Sequence, residues 1–219
     1  MHIEPGFLIP GKLLGANIAA VGMLGYYAKD LIKNPFEIIK ACLAAIFFSI
    51  FMQSFHMKVG PSELHFVGAM AIYLTLGFRP TLYGFAFGLL LQGLVFDPMD
   101  LPHLAVNSLS LMVPLVTVHM TLGKKLFANK LTKRVSWKEI VKLDAVYYAG
   151  VVSMVGFWLF AVSNVATPFS AWASFAVSYL AVIAVEPVIT IATVRLLKKY
   201  ETTAVVRKLT EISKLSLAS

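Results

Sequence analysis

The sequence predicts an all-α fold, a polytopic membrane helix bundle of six to seven transmembrane helices with the N-terminus outside and the C-terminus inside. Three observations predict it. Hydrophobic residues make up 58% of the 219 residues and charged residues only 14%, whereas soluble domains contain about 45–50% and about 25%. The apolar residues are gathered into separate segments. The basic residues occupy alternate connections between these segments, and therefore one side of a bilayer.

Seven apolar segments mark the candidate helices. They cover residues 13–28, 41–55, 66–77, 80–96, 104–123, 145–165 and 171–194. A spanning helix needs about 20 residues, within a range of about 17–25, and the last three segments meet this length. The second, third and fourth are short, and the third is the shortest, so six or seven spans are expected. Glycines in the fourth segment predict close helix packing. The chain shows no repeat, and residues 1–219 are expected to form a single transmembrane domain.

The net charge of +8 indicates orientation. With the N-terminus outside, the inner connections are 29–40, 77–80, 124–142 and a basic cytoplasmic tail, 195–219. They hold 17 of the 19 Lys and Arg residues. A bias of Lys and Arg on short loops sets the orientation of a membrane protein. Nucleic-acid-binding proteins are also basic, but their charge forms a patch on a polar fold, so this class is excluded.

The outer side of the predicted bundle consists of residues 1–12, 56–65, 97–103 and about 165–170. It holds His2, His56, His65 and His103, together with Glu4, Glu63, Asp97 and Asp100. The chain begins without the cationic region of a signal peptide. Met1 is therefore expected to be the mature N-terminus, since enzymes that remove the first methionine need a small second residue.

The N-terminus offers three nitrogen donors in a row. The α-amine of Met1 and the backbone amide of His2 close a five-membered chelate ring, and the amide and imidazole of His2 close a six-membered one. An ionised amide nitrogen suits metals that favour square-planar nitrogen coordination, such as Ni(II) or Cu(II). His65 would fill the fourth position if the fold brings it near the N-terminus. From spacing alone, the alternative that His2 is incidental stays open.

Four stretches resemble one family. The opening Met-His-Ile-Glu-Pro-Gly-Phe-Leu of residues 1–8 resembles the Met-His-Ile-x-x-Gly-Phe-Leu start of the CbiM/NikM family. Residues 60–65, Gly-Pro-Ser-Glu-Leu-His, resemble the outer loop of that family, and residues 90–96 with Asn107 resemble a later helix and its following segment. Glu186 also resembles a family position. Residues 99–107 depart from the family's glycine-rich pattern.

The family contains the substrate-binding membrane subunits (S components) of energy-coupling-factor transporters for cobalt and nickel. The resemblance implies that Met1, His2 and His65 bind Co(II) or Ni(II) as the transported substrate, without an organic cofactor. It also implies a prokaryotic cytoplasmic membrane location. The implied partners are a membrane coupling subunit, cytoplasmic ATPase subunits and a small accessory membrane subunit. The chain itself is not expected to be an enzyme, because it has no P-loop and no His-Glu-x-x-His helix.

Other polar residues on or near the outer side are candidates for orienting the ligands or closing the site. They are Asn107, His103, Glu63 and His56. Three of them also have a simpler interpretation: an interfacial histidine for His56, a cap or surface residue for His103, and a helix-linking amide for Asn107. Two other functions remain possible from sequence, namely a membrane subunit for another cargo such as a vitamin, or a haem-binding membrane subunit. Cobalt and nickel are not distinguished.

Overall fold

The structure, a computed structural model, describes residues 8–59, 62–128 and 134–218. Its α-helices are α1 (Pro10–Ile32), α2 (Pro35–Ser54), α3 (Ala69–Leu76), α4 (Phe78–Val95), α5 (Leu104–Thr121), α6 (Trp137–Gly156), α7 (Phe169–Lys199) and α8 (Ala204–Leu209). The strands β1 (His56–Val59) and β2 (Ser62–His65) form an antiparallel pair. Short 3-10 turns cover Pro98–His103, Gly123–Lys125 and Ile212–Lys214, and a π-helical turn, Phe157–Val162, extends α6.

Each of the seven predicted segments contains a helix, and the prediction of an all-α membrane bundle is confirmed. In the described part of the chain, four helical stretches are long and apolar enough to cross a membrane. They are Pro35–Ser54, Pro98–Thr121, Trp137–Val162 and Phe169–Lys199. Local sequence explains several helix starts. Proline at the first position of α1 and α2 has no N–H that needs a partner, and the Asn34 side chain accepts a hydrogen bond from the Phe36 N–H at 3.1 Å.

The third predicted segment differs from a spanning helix. Its helix, α3, contains only 8 residues, and residues 66–68 between β2 and α3 belong to no helix or strand. Gly68 turns the chain into α3 with a φ of +62°, a left-handed conformation that glycine adopts without steric cost. No sequence pattern predicted the β1–β2 hairpin, which lies in the predicted outer connection 56–65. Residues 66–68 and the short helix α3 take the place of the predicted helix.

Tight packing of α2 against α4 confirms the prediction made from the glycines of the fourth segment. A Cβ atom on Gly84 would overlap the Ala44 side chain, and one on Gly88 would overlap the Phe48 ring. These glycines therefore allow the two helix backbones to approach closely. The helices α5, α6 and α7 pack in sequence beside this pair.

Ion pairs link the predicted inner connections to one another at one end of the bundle. Arg79 pairs with Asp30 at 2.7 Å, linking the start of α4 to the end of α1. Lys40, near the start of α2, pairs with Glu37 and, at 2.7 Å, with Glu211 of the C-terminal tail.

The tail folds back onto this end of the bundle. The Glu211 N–H donates to the Thr75 carbonyl at 2.7 Å, and the side chains of Ile212 and Leu215 are buried. Burial raises the pKa of the Glu211 carboxyl, but hydrogen bonds and charge from Lys214 and Lys40 outweigh it, so the pKa lies below its ordinary value. The predicted basic tail is thus packed against the bundle from Glu211 onward, while α8 before it has no buried residue among those described.

Candidate functional site

His65 is the one predicted metal ligand that the structure describes, because Met1 and His2 lie outside the described residues. It ends β2 and is only 6% exposed. Its Nε2 atom lies 3.0 Å from Oε2 of Glu63. Residues two apart on a strand share a face, so the hairpin itself places the carboxylate beside the imidazole.

His56 lies directly opposite His65 in the hairpin register. Their rings stack with centroids 6.0 Å apart and an angle of 24° between the planes. Cross-strand neighbours of an antiparallel pair point to the same face. Three of the predicted site residues, His56, Glu63 and His65, are therefore brought together by one short hairpin.

A cavity of about 310 Å³ lies against this hairpin. Its lining is Met52, Gln53, His56, Glu63, His65, Gln92, Phe96, Asp97 and Asp100. Two of the lining side chains are amides that are fixed by hydrogen bonds. Gln53 Nε2 donates to Gln92 Oε1 at 2.6 Å, and Gln92 Nε2 donates to the Ser49 carbonyl at 3.0 Å. Three carboxylates and two imidazoles in one concave surface attract cations.

The acidic wall of the cavity comes from the turn after α4. Asp97 caps this turn, since its Oδ1 accepts a hydrogen bond from the Met99 N–H at 3.2 Å. This is the stretch that departs from the family pattern, and it forms a short 3-10 helix ending at His103. The sequence interpretation did not include Gln53, Asp97 and Asp100 in the site. Their convergence depends on the packing of α2 against α4, which no local pattern reveals.

His103 and Asn107 do not line this cavity among the residues that the structure describes. Both are buried at the start of α5, where His103 is 2% and Asn107 1% exposed. The interpretation of His103 as a cap or surface residue is wrong: its side chain makes no capping bond and is enclosed by the bundle. Asn107 is equally enclosed.

Glu186 occupies the centre of the bundle on α7 and is fully buried. Its Oε1 accepts a hydrogen bond from the Met70 N–H at 3.0 Å, and the Tyr148 hydroxyl donates to its Oε2. The contact with Met70 ties the start of α3 to α7, and the contact with Tyr148 ties α6 to α7.

The described residues hold no complete metal centre. Within 8–59, 62–128 and 134–218, no group of three or more His, Cys, Asp or Glu side chains is arranged to hold a metal ion. His65 thus supplies a single well-placed imidazole at an acidic cavity. A four-nitrogen site here would need donors from another part of the chain.

Comparison with known proteins identifies a family and two similar folds. The family model CbiM, described as the cobalt uptake substrate-specific transmembrane region, matches residues 2–204. A solved structure described as a transition metal transporter is 21% identical, with a TM-score of 0.71 over 95% of this chain and 97% of that chain. A second, described as a truncated transition metal transporter, is 18% identical, with a TM-score of 0.65 over 91% of this chain and 99% of that one. At these identities the two structures show a shared fold. No curated protein matches the chain.

Proposed function

The chain belongs to the CbiM family of cobalt uptake substrate-specific transmembrane regions, and we propose that it captures Co(II) or Ni(II) at the outer face of the membrane. Family membership makes it the substrate-binding membrane component of a transition-metal uptake system. The proposed site rests on the position of His65. Its buried imidazole is held between Glu63 and His56 at the wall of a cavity that three carboxylates make attractive to cations.

The proposed ligands are the Met1 amine, the His2 amide and imidazole, and the His65 imidazole. Chain connectivity supports this set. Only Lys33 and Asn34 join α1 to α2, so the two helices run in opposite directions, and the start of α1 lies at the same end as the hairpin that follows α2. The described chain therefore begins at the end of the bundle where His65 lies, which supports donors from residues 1 and 2.

Metal capture at this site should release protons. The amine has an ordinary pKa of about 7.7–8.0, and both it and the amide must be deprotonated to bind. Metal affinity should therefore fall steeply below neutral pH. The carboxylates of the cavity raise the local concentration of divalent cations before coordination begins.

The proposed topology has seven membrane crossings, with the hairpin end outside and the basic end inside. The asymmetry of Lys and Arg supports it. Residues 66–76, which include α3, make the third crossing, and the hairpin before them lies on the outer side. Energy for transport would come from cytoplasmic ATPase subunits through a membrane coupling subunit, with a small accessory membrane subunit as a further partner. They would meet the basic inner face of a chain that lies in a prokaryotic cytoplasmic membrane.

The decisive experiment adds four glycines before Met1, because a single glycine would make His2 the third residue and create a new planar chelate of amine, two amides and imidazole. The longer extension removes the amine from the five-membered ring and should abolish high-affinity binding of Co(II) and Ni(II), measured by calorimetry on the purified protein. The matched control adds four glycines after Ser219 and should bind as the native chain does. Equal metal affinity in the N-terminally extended and native proteins would sink the amine-chelate proposal. Binding of a vitamin or of haem should be indifferent to the extension.

A further inference from the structure

His103 is a buried histidine without a structural partner. It stands at the junction of the 3-10 turn and α5 and is 2% exposed. Neither Nδ1 nor Nε2 has a hydrogen-bond partner in the described part of the chain. A neutral imidazole carries one donor and one acceptor, and leaving both unsatisfied inside a protein costs free energy. The burial of such an imidazole is explained more readily by a bound ligand than by a contribution to folding stability.

His119, near the other end of α5, shows what a structural histidine looks like in this bundle. Its Nδ1 lies 2.8 Å from the Tyr73 hydroxyl, and its ring stacks on Phe78 with centroids 4.0 Å apart. Among the described residues, His103 has neither a hydrogen bond nor a stacked ring of this kind. The two histidines of this region can therefore be compared: His119 has structural partners, and His103 has none among the described residues.

The position of His103 in the chain links it to the proposed capture site, although its side chain does not line the described cavity. The turn from Pro98 to His103 follows α4, whose Gln92 lines the cavity. Asp100 lines the cavity together with His65 and lies three residues before His103 in the same turn. The helix α1, which begins at this same end, packs against α5.

We propose that His103 is a further nitrogen ligand of the transported metal ion and determines which metal the protein prefers. This inference rests on the proposed function, because it adds a donor to the Met1, His2 and His65 set. Four nitrogens in a plane suit Ni(II) or Cu(II). A fifth nitrogen from outside that plane suits Co(II), which accepts five or six ligands readily. Imidazole is among the commonest metal ligands in proteins.

The test compares His103→Leu with His119→Leu and the native protein. Without metal, His103→Leu should unfold at the native temperature or above it, because it removes no hydrogen bond. Its affinity for Co(II) should fall on the order of tenfold or more, its affinity for Ni(II) should fall less, and the Co(II) absorption spectrum should change with the coordination number. His119→Leu should show the reverse, with a lower unfolding temperature and native metal affinities.

The outcomes separate this inference from the proposed function. If His103→Leu binds both metals with native affinity and an unchanged Co(II) spectrum, His103 is not a ligand and the proposed capture site stands. If metal-free His103→Leu is destabilised as much as His119→Leu, the residue is structural and the inference fails. If the native protein binds neither metal, both proposals fail together. Calorimetry on His65→Ala, which should lose binding of both metals, checks the proposed site independently of His103.

Discussion

Replacing Gly68 by alanine should lower the free energy of unfolding by about 2–5 kcal/mol. Gly68 has a φ of +62° just before α3, and a left-handed conformation costs a residue with a Cβ about 1–2 kcal/mol. The new Cβ would also overlap the Phe51 ring. Overpacking of this kind costs about 1–3 kcal/mol, and the two costs add.

The control is the same substitution at Gly15, in α1. A Cβ there meets no atom within 4 Å, and alanine is favoured over glycine inside a helix by about 0.5–1 kcal/mol. Gly15→Ala should therefore stabilise the protein. Combining Gly68→Ala with Phe51→Leu should recover only the steric cost, about 1–3 kcal/mol as the coupling energy of a double-mutant cycle.

Thermal unfolding of the purified protein in detergent measures these differences. For a chain of this size, 1 kcal/mol corresponds to roughly 2–4 °C, so Gly68→Ala should unfold about 4–20 °C below the native protein. The reasoning would be refuted if Gly68→Ala unfolded at the native temperature, or if Gly15→Ala fell as far as Gly68→Ala.

Three further predictions concern polar contacts. Glu186→Gln should cost about 1–3 kcal/mol of unfolding free energy, because an amide leaves one donor, such as the Tyr148 hydroxyl, without its acceptor; native thermal stability would contradict this. Lys214 and Lys40 hold the pKa of Glu211 below the ordinary 4.5. The ionised Glu211 carboxylate therefore stabilises the folded protein fully above pH 4.5, and this stabilisation is lost as the pH falls through the lower, folded-state pKa. Acid titration of the unfolding temperature should show this loss, and Glu211→Gln should remove it. Asp30→Asn should change the free energy of unfolding by less than about 1 kcal/mol, because solvent screens its ion pair with Arg79. The Arg79 side chain is 42% exposed and the Asp30 side chain 51%. A larger loss in thermal unfolding would show that the pair is stronger than its exposure implies.

Length and hydropathy were enough to predict the helices α5, α6 and α7. These helices have long apolar runs that no other structure in a bilayer accommodates. The third segment forms only the short helix α3, Ala69–Leu76. The hairpin before it was not predicted, because its strands contain four residues each, too few to display an alternating pattern. The helix α3 is stabilised by Glu186, which lies far away in sequence.

In the candidate site, too, some residues could be predicted from local sequence and others are placed only by helix packing. His65 and Glu63 were predicted from a local motif that carries its own geometry, because alternate residues of a strand share a face. Gln53 and Asp97 reach the cavity only through the packing of α2 against α4, so their role was not visible in the sequence. His103 was placed at the surface because it follows Pro102 in a polar turn, whereas the helix bundle encloses it.

The shortness of α3 keeps His65 close to the bundle core along the chain. Only residues 66–69 separate His65 from Met70, whose N–H is bonded to Glu186 on α7. Even fully extended, five residue steps span at most about 18 Å. A movement of His65 that exceeds what straightening these four residues allows must therefore displace Met70 or break its bond to Glu186. The hairpin that contains His65 is thus mechanically linked to α7 through four residues, with no whole transmembrane helix between them.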